Sequence, residues 1–111
     1  MTRRDHLGHF EFIVLLAIMR LGEDAYGVSI ASEIETAAGR RVALASLYLT
    51  LDRLEKNGLV RSELGEPTTE RGGRAKRYFR ITSKGLGEVK AARRALTKLW
   101  SGIPELRGDA T

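Results

Sequence analysis

A mainly α-helical fold with one β-hairpin, of the α+β class, is predicted for this chain of 111 residues. The first observation behind it is that three segments in the first half carry apolar residues at helical spacing and stop near Gly22, Gly39 and Gly58. The second is a pair of short, alternating stretches on either side of a loop broken by proline and glycine. A last helical segment follows them. The sequence therefore predicts three helices, a two-stranded hairpin and a long C-terminal helix.

The composition restricts the classes of partner. The formal net charge is +5, which attracts the chain to polyanions, and 42% of the residues are hydrophobic, enough for one modest core. Nucleic acid fits better than membrane, because the longest apolar run, Phe12 to Met19, is too short to cross a bilayer. The N-terminus lacks a signal-peptide pattern, and the absence of cysteine excludes disulfides and zinc–thiolate sites. We expect a soluble cytoplasmic protein.

The first helix is predicted from His9 to Leu21, after a polar arm of residues 1–8. Apolar side chains cover most of its circumference, whereas one stripe suffices for a surface helix. Such a helix needs apolar partners on two sides. In so small a domain the second partner is expected to be another subunit, with Phe10, Phe12 and Leu16 in the interface. Full burial within one monomer is the alternative.

The second helix is predicted from about Ala25 to Ala38, with Asp24 as its N-cap and Gly39 as its end. A turn over residues 22–25 separates it from the first helix. Its apolar side is expected to contain Val28, Ile30, Ala31, Ile34 and Ala37.

The third helix is predicted from about Leu44 to Asn57, where Gly58 is a stop signal. Ala43 is a poor cap, so a shorter helix capped by Ser46 is the alternative. At 100° per residue, one narrow arc faces the core and contains Leu47, Leu51 and Leu54. The opposite side contains Ala45, Leu49, Asp52, Arg53 and Lys56. One flank holds polar groups that can reach into a groove, namely Ser46, Thr50 and Asn57.

The hairpin is predicted from two strands, Leu59 to about Leu64 and Lys76 to Thr82, joined by a loop over residues 65–75 that contains Pro67, Gly72 and Gly73. On the second strand the side chains alternate, so that one side holds Phe79 and Ile81 and the other holds Tyr78 and Arg80. The loop and the second strand together are strongly basic and contain Arg71, Arg74, Lys76, Arg77 and Arg80.

A charge run of this kind is ordinarily a solvated face. Its position on a hairpin directly after two helices of helix-turn-helix type favours a wing that grips a DNA duplex, and the predicted fold is thus a winged helix. Arg74, at the tip, is the candidate for minor-groove insertion, because arginine favours the negative potential of narrow grooves. Arg80, on the strand, could instead pair with an acid such as Glu63.

The last helix is predicted from Ser83 to about Gly102, with Thr82 as its cap and Pro104 near its end. Its apolar residues follow the three-four spacing of a coiled-coil seam, interrupted by Arg93. Because the three preceding helices already close one core, the seam is expected to form a homodimer. The predicted interface residues on this helix are Leu86, Val89, Leu96, Leu99, Trp100 and Ile103.

Two further hypotheses concern this helix. Trp100 and its symmetry mate could face each other across a seam with Leu96, Leu99, Ile103 and Phe10, a setting able to hold a small aromatic effector by stacking; the alternative is that Trp100 is only an interface anchor. The basic residues of the helix are expected to form a solvated face or to pair with Glu11 across the dimer, and they are Lys90, Arg93, Arg94 and Lys98.

Four segments resemble, in order and spacing, the PadR-like transcriptional regulators: HFEFIVLLAIMRLG, AYGVSIASEIE, SLYLTLDRLEKNGLV and GEPTTERGGRAKRYFRITSKG. The similarity covers about residues 7–90. It implies a bacterial winged helix-turn-helix protein of the family's smaller branch, which dimerises through its C-terminal helix and usually represses transcription from palindromic operators. The expected division is a DNA-binding domain over 1–82, a dimerisation helix over 83–104 and a flexible tail over 105–111. At Leu49, proline or threonine is common in the family.

The resemblance places DNA contacts on the third helix at Ser46, Tyr48, Thr50 and Arg53. Hydroxyl groups near a helix N-terminus can reach phosphates or base edges, and Arg53 can reach a phosphate or guanine. Leu49 could touch a thymine methyl group. Tyr48 could instead pack against the core with only its hydroxyl exposed. Tyr26, before a glycine expected to permit close helix packing, is a candidate for a phosphate contact.

Catalysis is not expected. His6 and His9 are the only histidines, and no carboxylate pair, phosphate loop or nucleophile motif accompanies them. We therefore expect no metal and no cofactor. Three functions remain open: a homodimeric repressor, a ligand-sensing or protein-interaction module that uses the winged helix as a scaffold, and an architectural binder without sequence preference. Binding to the DNA upstream of the protein's own gene would separate the first two.

Overall fold

The computed structural model of the chain describes residues 7–66 and 75–108. The elements follow each other as α1 (His9–Leu21), a 3₁₀ turn (Gly22–Asp24), α2 (Gly27–Ala38), α3 (Leu44–Lys56), β1 (Val60–Leu64), β2 (Arg77–Ile81), α4 (Ser83–Trp100) and a second 3₁₀ turn (Pro104–Leu106). The predicted class, mainly helical with one antiparallel hairpin, is confirmed. The predictions for Pro67, Arg71, Gly72, Gly73 and Arg74 lie outside the described residues, as do those for the first six residues and the last three.

Helix α1 has the predicted bounds. The Gly8 amide donates a hydrogen bond to Glu11 Oε1 at 2.9 Å, which satisfies one free N–H at the helix start. One face of the helix is buried and contains Val14, Leu15, Ala17 and Ile18, whereas Leu16 remains 38% exposed. The helix therefore carries apolar surface outside the core, as its composition predicted.

Helix α2 begins two residues later than predicted, and Asp24 does not cap it. Tyr26 is the residue before the first turn, and its amide donates to Ser29 Oγ at 3.0 Å, while the Ser29 hydroxyl donates to the Asp24 carbonyl. The Ser29 side chain, in the first turn, thus satisfies the amide of the residue before the helix. The predicted end is confirmed, because Gly39 has φ +66°, a conformation that favours glycine.

The apolar side of α2 is narrower than predicted. Ile30 and Ile34 are buried, but Val28 is exposed because it lies two residues, or 200°, from Ile30 around the helix. Ala37 is also exposed, since it lies in the final turn, beyond the last buried residue of the helix.

Helix α3 begins at Leu44 without a side-chain cap, so the shorter helix capped by Ser46 is wrong. Its core arc is confirmed, because Leu47, Leu51 and Leu54 are all buried. Thr50 does not lie on an exposed flank as predicted, because only 5% of the residue is exposed. On the helical wheel Thr50 lies beside Leu47 and Leu54, so it belongs to the edge of the core arc and not to an exposed flank.

The hairpin pairs β1 with β2 from Val60↔Ile81 to Leu64↔Arg77, and Phe79 is fully buried beneath it. The hairpin is joined to the turn before α2, because the Phe79 amide donates to the Ala25 carbonyl at 2.8 Å. The predicted pairing of Arg80 with Glu63 is not found. The register places Tyr78 opposite Glu63, and the Arg80 guanidinium lies 3.8 Å from Glu23.

Helix α4 begins as predicted, with Thr82 Oγ1 accepting from the Gly85 amide at 3.0 Å, but it ends at Trp100, short of Gly102. Its first half belongs to the monomer's own core, because Val89 is buried and Leu86 half-buried. This corrects the prediction that the whole seam is free for a partner. A close approach to the residue before β1 requires Gly85, since a Cβ there would overlap the Leu59 carbonyl oxygen. Among the described residues, no helix has the length and apolar character needed to span a bilayer.

Candidate nucleic-acid interface

The side of α3 turned away from the core is exposed along its length. Leu49 occupies its centre and is 66% exposed, the largest such fraction among the large hydrophobic residues of the helix. Around it lie Ala45, Ser46, Asp52, Arg53 and Lys56, all of them exposed. The structure therefore brings together every residue predicted to contact DNA from this helix except Thr50, which is only 5% exposed.

Tyr48 fixes the distance between α2 and α3. Its side chain is 40% exposed, yet its hydroxyl group lies against Gly27 in the first turn of α2. A Cβ at Gly27 would overlap that hydroxyl, so the prediction that this glycine permits close packing is confirmed. The alternative in which only the tyrosine hydroxyl reaches solvent does not fit, because 40% of the residue is exposed and its hydroxyl lies against Gly27. Tyr48 thus combines a structural contact with partial exposure.

Arg53 is held by the first helix. Its Nη1 donates to Glu11 Oε2 at 3.1 Å, while the other Glu11 oxygen accepts from the Gly8 amide. The Glu11 side chain is 17% exposed and that of Arg53 is 55% exposed. Both Glu11 oxygens thus have partners in the same chain, and the pairing of Glu11 with cations of α4 across a dimer stays a prediction.

Arg77 connects the hairpin to α3. Its Nη2 donates to Glu55 Oε1 at 2.5 Å and its Nε donates to Ser62 Oγ at 3.0 Å, while its Nη1 lies 3.6 Å from Asp52. The guanidinium carbon also lies 5.1 Å from the centre of the Phe79 ring. The predicted phosphate ligand is therefore a brace between two elements in this structure. The sequence held no signal for it, because the partners are 22 residues apart.

Lys76 and Tyr26, which were both predicted to contact DNA, lie side by side. The Lys76 ammonium group is 4.2 Å from the centre of the Tyr26 ring, and Tyr78 meets the same ring edge-on, with centroids 5.6 Å apart. Tyr78 supports Tyr26 and was not predicted to belong to the site. Gly65 makes room for it, because a Cβ there would lie 2.6 Å from the Tyr78 ring. Arg71 and Arg74, at the predicted wing tip, lie outside the described residues.

The apolar residues predicted to form a dimer lie mostly on the surface. Leu99 is 73% exposed and Trp100 41%, and Leu16, Leu96 and Ile103 are exposed as well. Phe10 and Phe12 are half-buried, and the Arg40 guanidinium covers the Phe10 ring at 4.8 Å. A shallow groove on α4 does not include Trp100; basic and polar side chains line it, namely Lys90, Arg93, Arg94, Thr97 and Lys98.

Comparison with known proteins assigns the family. The model of the transcriptional regulator PadR-like family matches residues 15–91, which run from the middle of α1 through β2 to the middle of α4. The chain belongs to the PadR-like family. It is a transcriptional regulator, which confirms the resemblance and the expectation that it is not an enzyme. Within residues 7–66 and 75–108 no cluster of three metal-ligating side chains is found.

Three relatives show the extent of the similarity. An uncharacterised protein of Lysinibacillus sphaericus is 34% identical over 109 residues, which are 96% of this PadR-like chain and 92% of the relative. The crystal structure of a PadR family transcriptional regulator from Eggerthella lenta is 26% identical, with a TM-score of 0.67 over 88% of this chain and 83% of that one. A PadR-like transcriptional regulator from Bacillus cereus, at 22% identity, shares the fold with a TM-score of 0.70 over 91% and 93% of the two chains.

Proposed function

We propose that this PadR-like regulator is a homodimeric repressor that binds a palindromic operator. The observation that carries the proposal is the exposed face of α3 around Leu49, in the same domain as a hairpin whose half-buried Lys76 lies over the Tyr26 ring at the start of α2. In a symmetric dimer, two such helices would enter successive major grooves about one helical turn apart. The hairpins would contact flanking backbone or minor groove.

The proposed DNA contacts fall into two groups. Ser46, Leu49 and the exposed edge of Tyr48 face bases, since they occupy the N-terminal half of the exposed side of α3. The second group supplies charge or hydrogen bonds to phosphates and contains Tyr26, Arg53, Lys76 and the wing arginines Arg71 and Arg74. Arg77 contributes by holding the hairpin against α3.

Exposed apolar surface supports the dimer. Leu96, Leu99, Trp100 and Ile103 lie within eight positions of one another at the end of α4, and Leu16 adds apolar surface on α1. Contiguous exposed apolar residues of this kind mark association surfaces in small proteins. Leu86 and Val89 lie nearer the monomer core, so we place them at the edge of the proposed interface.

Repression would follow if the operator overlaps the promoter, because a bound dimer then excludes the polymerase. We extend the proposal to an effector that binds at Trp100. A flat aromatic molecule would release DNA if it binds better to a dimer in which the spacing of the two α3 helices does not match successive major grooves. Acting on chromosomal DNA places the protein in the bacterial cytoplasm.

The test is selection of genomic fragments by the purified protein, followed by gel shifts of the enriched fragment against random duplex. We expect an enriched palindrome near a promoter, a dimer in the shifted complex, and less transcript in vitro when the protein is added. Equal affinity for random duplex would favour an architectural binder. No binding to either DNA would favour the scaffold function, and more transcript would indicate an activator.

A further inference from the structure

The centre of the exposed face of α3 is apolar. Ala45 and Leu49 are one helical turn apart on the side opposite the core leucines, and both are exposed. No asparagine or glutamine, the residues that read adenine by paired hydrogen bonds, occurs in this helix. A helix that presents a leucine to a DNA groove can contact carbon but cannot hydrogen-bond a base edge with that side chain.

Two of the charged residues beside this strip have partners within the chain. Arg53 is bonded to Glu11 at 3.1 Å, and Asp52 lies 3.6 Å from the Arg77 guanidinium. Lys56 lies about two helical turns after Leu49, is exposed on the same side of α3 and can supply positive charge to the phosphates. The chemistry of the face is therefore an apolar centre with cations at its rim, which fits the methyl groups and phosphates of a DNA major groove.

Building on the proposed repressor function, we infer that Ala45 and Leu49 read thymine by contact with its C5-methyl group, so that the operator half-site carries thymine where α3 is deepest in the groove. The C5-methyl group is the feature by which thymine differs from the other bases in apolar contacts in the major groove of unmodified DNA. Leu49 is 66% exposed in the free chain, so contact with a methyl group removes apolar surface of both partners from water.

Exposed leucines are common on protein surfaces, and exposure alone identifies no ligand. Leu64, on β1, is exposed to a similar degree, at 71%, but lies outside α3. It is therefore the matched control: the same residue type, the same exposure and a different element. Leu49→Met preserves an apolar side chain of similar reach, whereas Leu49→Ala shortens it.

The experiment removes the methyl group without changing base pairing. Duplexes selected from a random pool by the full-length protein are amplified once with dTTP and once with dUTP, and affinities are measured at one fixed salt concentration. For the wild type we expect about 4-fold weaker binding per lost methyl contact, hence about 15-fold for the two half-sites. The ratio of affinities for the dTTP and dUTP duplexes should be mostly retained in Leu64→Ala and Leu49→Met. In Leu49→Ala it should fall to about 2-fold or less.

The outcomes separate this inference from the function on which it rests. Failure to enrich any duplex over the starting pool would overturn sequence-specific binding and the methyl contact with it. Enrichment with equal affinity for the two preparations would overturn the methyl contact alone. A dUTP penalty that is the same in wild type and Leu49→Ala would assign the effect to DNA shape and would likewise overturn it. Because Leu49 is exposed, Leu49→Ala should unfold at the wild-type temperature, which circular dichroism can check.

Discussion

Arg77 of the hairpin donates a hydrogen bond to Glu55 of α3 at 2.5 Å, so the two elements that we propose to contact DNA are joined by an ion pair. Ser62 takes part as well, donating to Glu55 and accepting from Arg77. The side chains of the pair are 42% and 33% exposed, which allows solvent to screen it. The contact therefore orients the wing more than it stabilises the fold.

Arg77→Ala should lower the free energy of unfolding by about 1 kcal/mol and weaken operator binding without changing the dependence on salt. The reason is that its guanidinium is occupied by carboxylates of α3. Lys76→Ala, one residue away, should instead reduce the slope of log affinity against log salt by about 1.8 per dimer, if each subunit loses one phosphate contact. Salt titrations of both variants check this. A slope that falls by the same amount in Arg77→Ala would mean that Arg77 turns to the backbone on binding.

Gly27→Ala should destabilise the domain by about 1–3 kcal/mol, since the added methyl group would overlap the Tyr48 hydroxyl. Combination with Tyr48→Ala should recover a large part of that loss in a double-mutant cycle followed by urea denaturation. Gly87→Ala is the control, because a Cβ at Gly87 meets nothing within 4 Å and the helix gains from alanine. Additive effects of the Gly27 and Tyr48 changes would show that the two residues do not meet.

Ser46→Ala should change DNA affinity and Thr50→Ala should change stability, although both residues were predicted to read bases. Ser46 is exposed, so its replacement should weaken specific binding by about 1–3 kcal/mol for each base pair no longer read and leave stability unchanged. Thr50 is buried, so its replacement should lower the melting temperature by about 4–8 °C for each kcal/mol lost, with little effect on DNA binding by the folded protein. Loss of operator affinity in folded Thr50→Ala would restore Thr50 to the interface.

Leu96→Asp combined with Trp100→Asp should yield monomers or insoluble protein, because it places charge on the exposed apolar end of α4. Sedimentation velocity measures the outcome. The control is Arg94→Asp with Lys98→Asp, which introduces the same acids among the basic residues that line the groove on this helix. A dimer that persists in the first variant would exclude this interface.

Planar aromatic compounds should quench the fluorescence of Trp100, the single tryptophan, and weaken operator binding over the same concentration range. Fluorescence and gel-shift titrations on one sample compare the two. Quenching with unchanged DNA affinity would indicate a pocket without regulation. No quenching across a varied panel would leave Trp100 as an interface anchor.

Local patterns determined the elements of this protein. The bounds of α1, the end of α2 at Gly39 and the start of α4 at Thr82 all followed from the sequence, because helical periodicity and capping act between residues a few positions apart. The prediction of Asp24 as the cap of α2 was wrong because a nearby alternative was missed. Ser29 accepts a hydrogen bond from the Tyr26 amide and donates one to the Asp24 carbonyl. The resemblance to PadR-like regulators, carried by short motifs, determined the family.

Tertiary structure alone decided what each candidate side chain can do. Whether a polar residue on α3 is available to DNA depends on partners that are distant in the chain: Glu11 and Arg53 are 42 residues apart, and Glu55 and Arg77 are 22 apart. Thr50 lay at the edge of an arc whose width is set by the packing of neighbouring elements, so periodicity could not distinguish flank from core. The sequence determined which residues form α3 and the hairpin, and packing decided which of them face outward, because burial and ion pairing are properties of the assembled core.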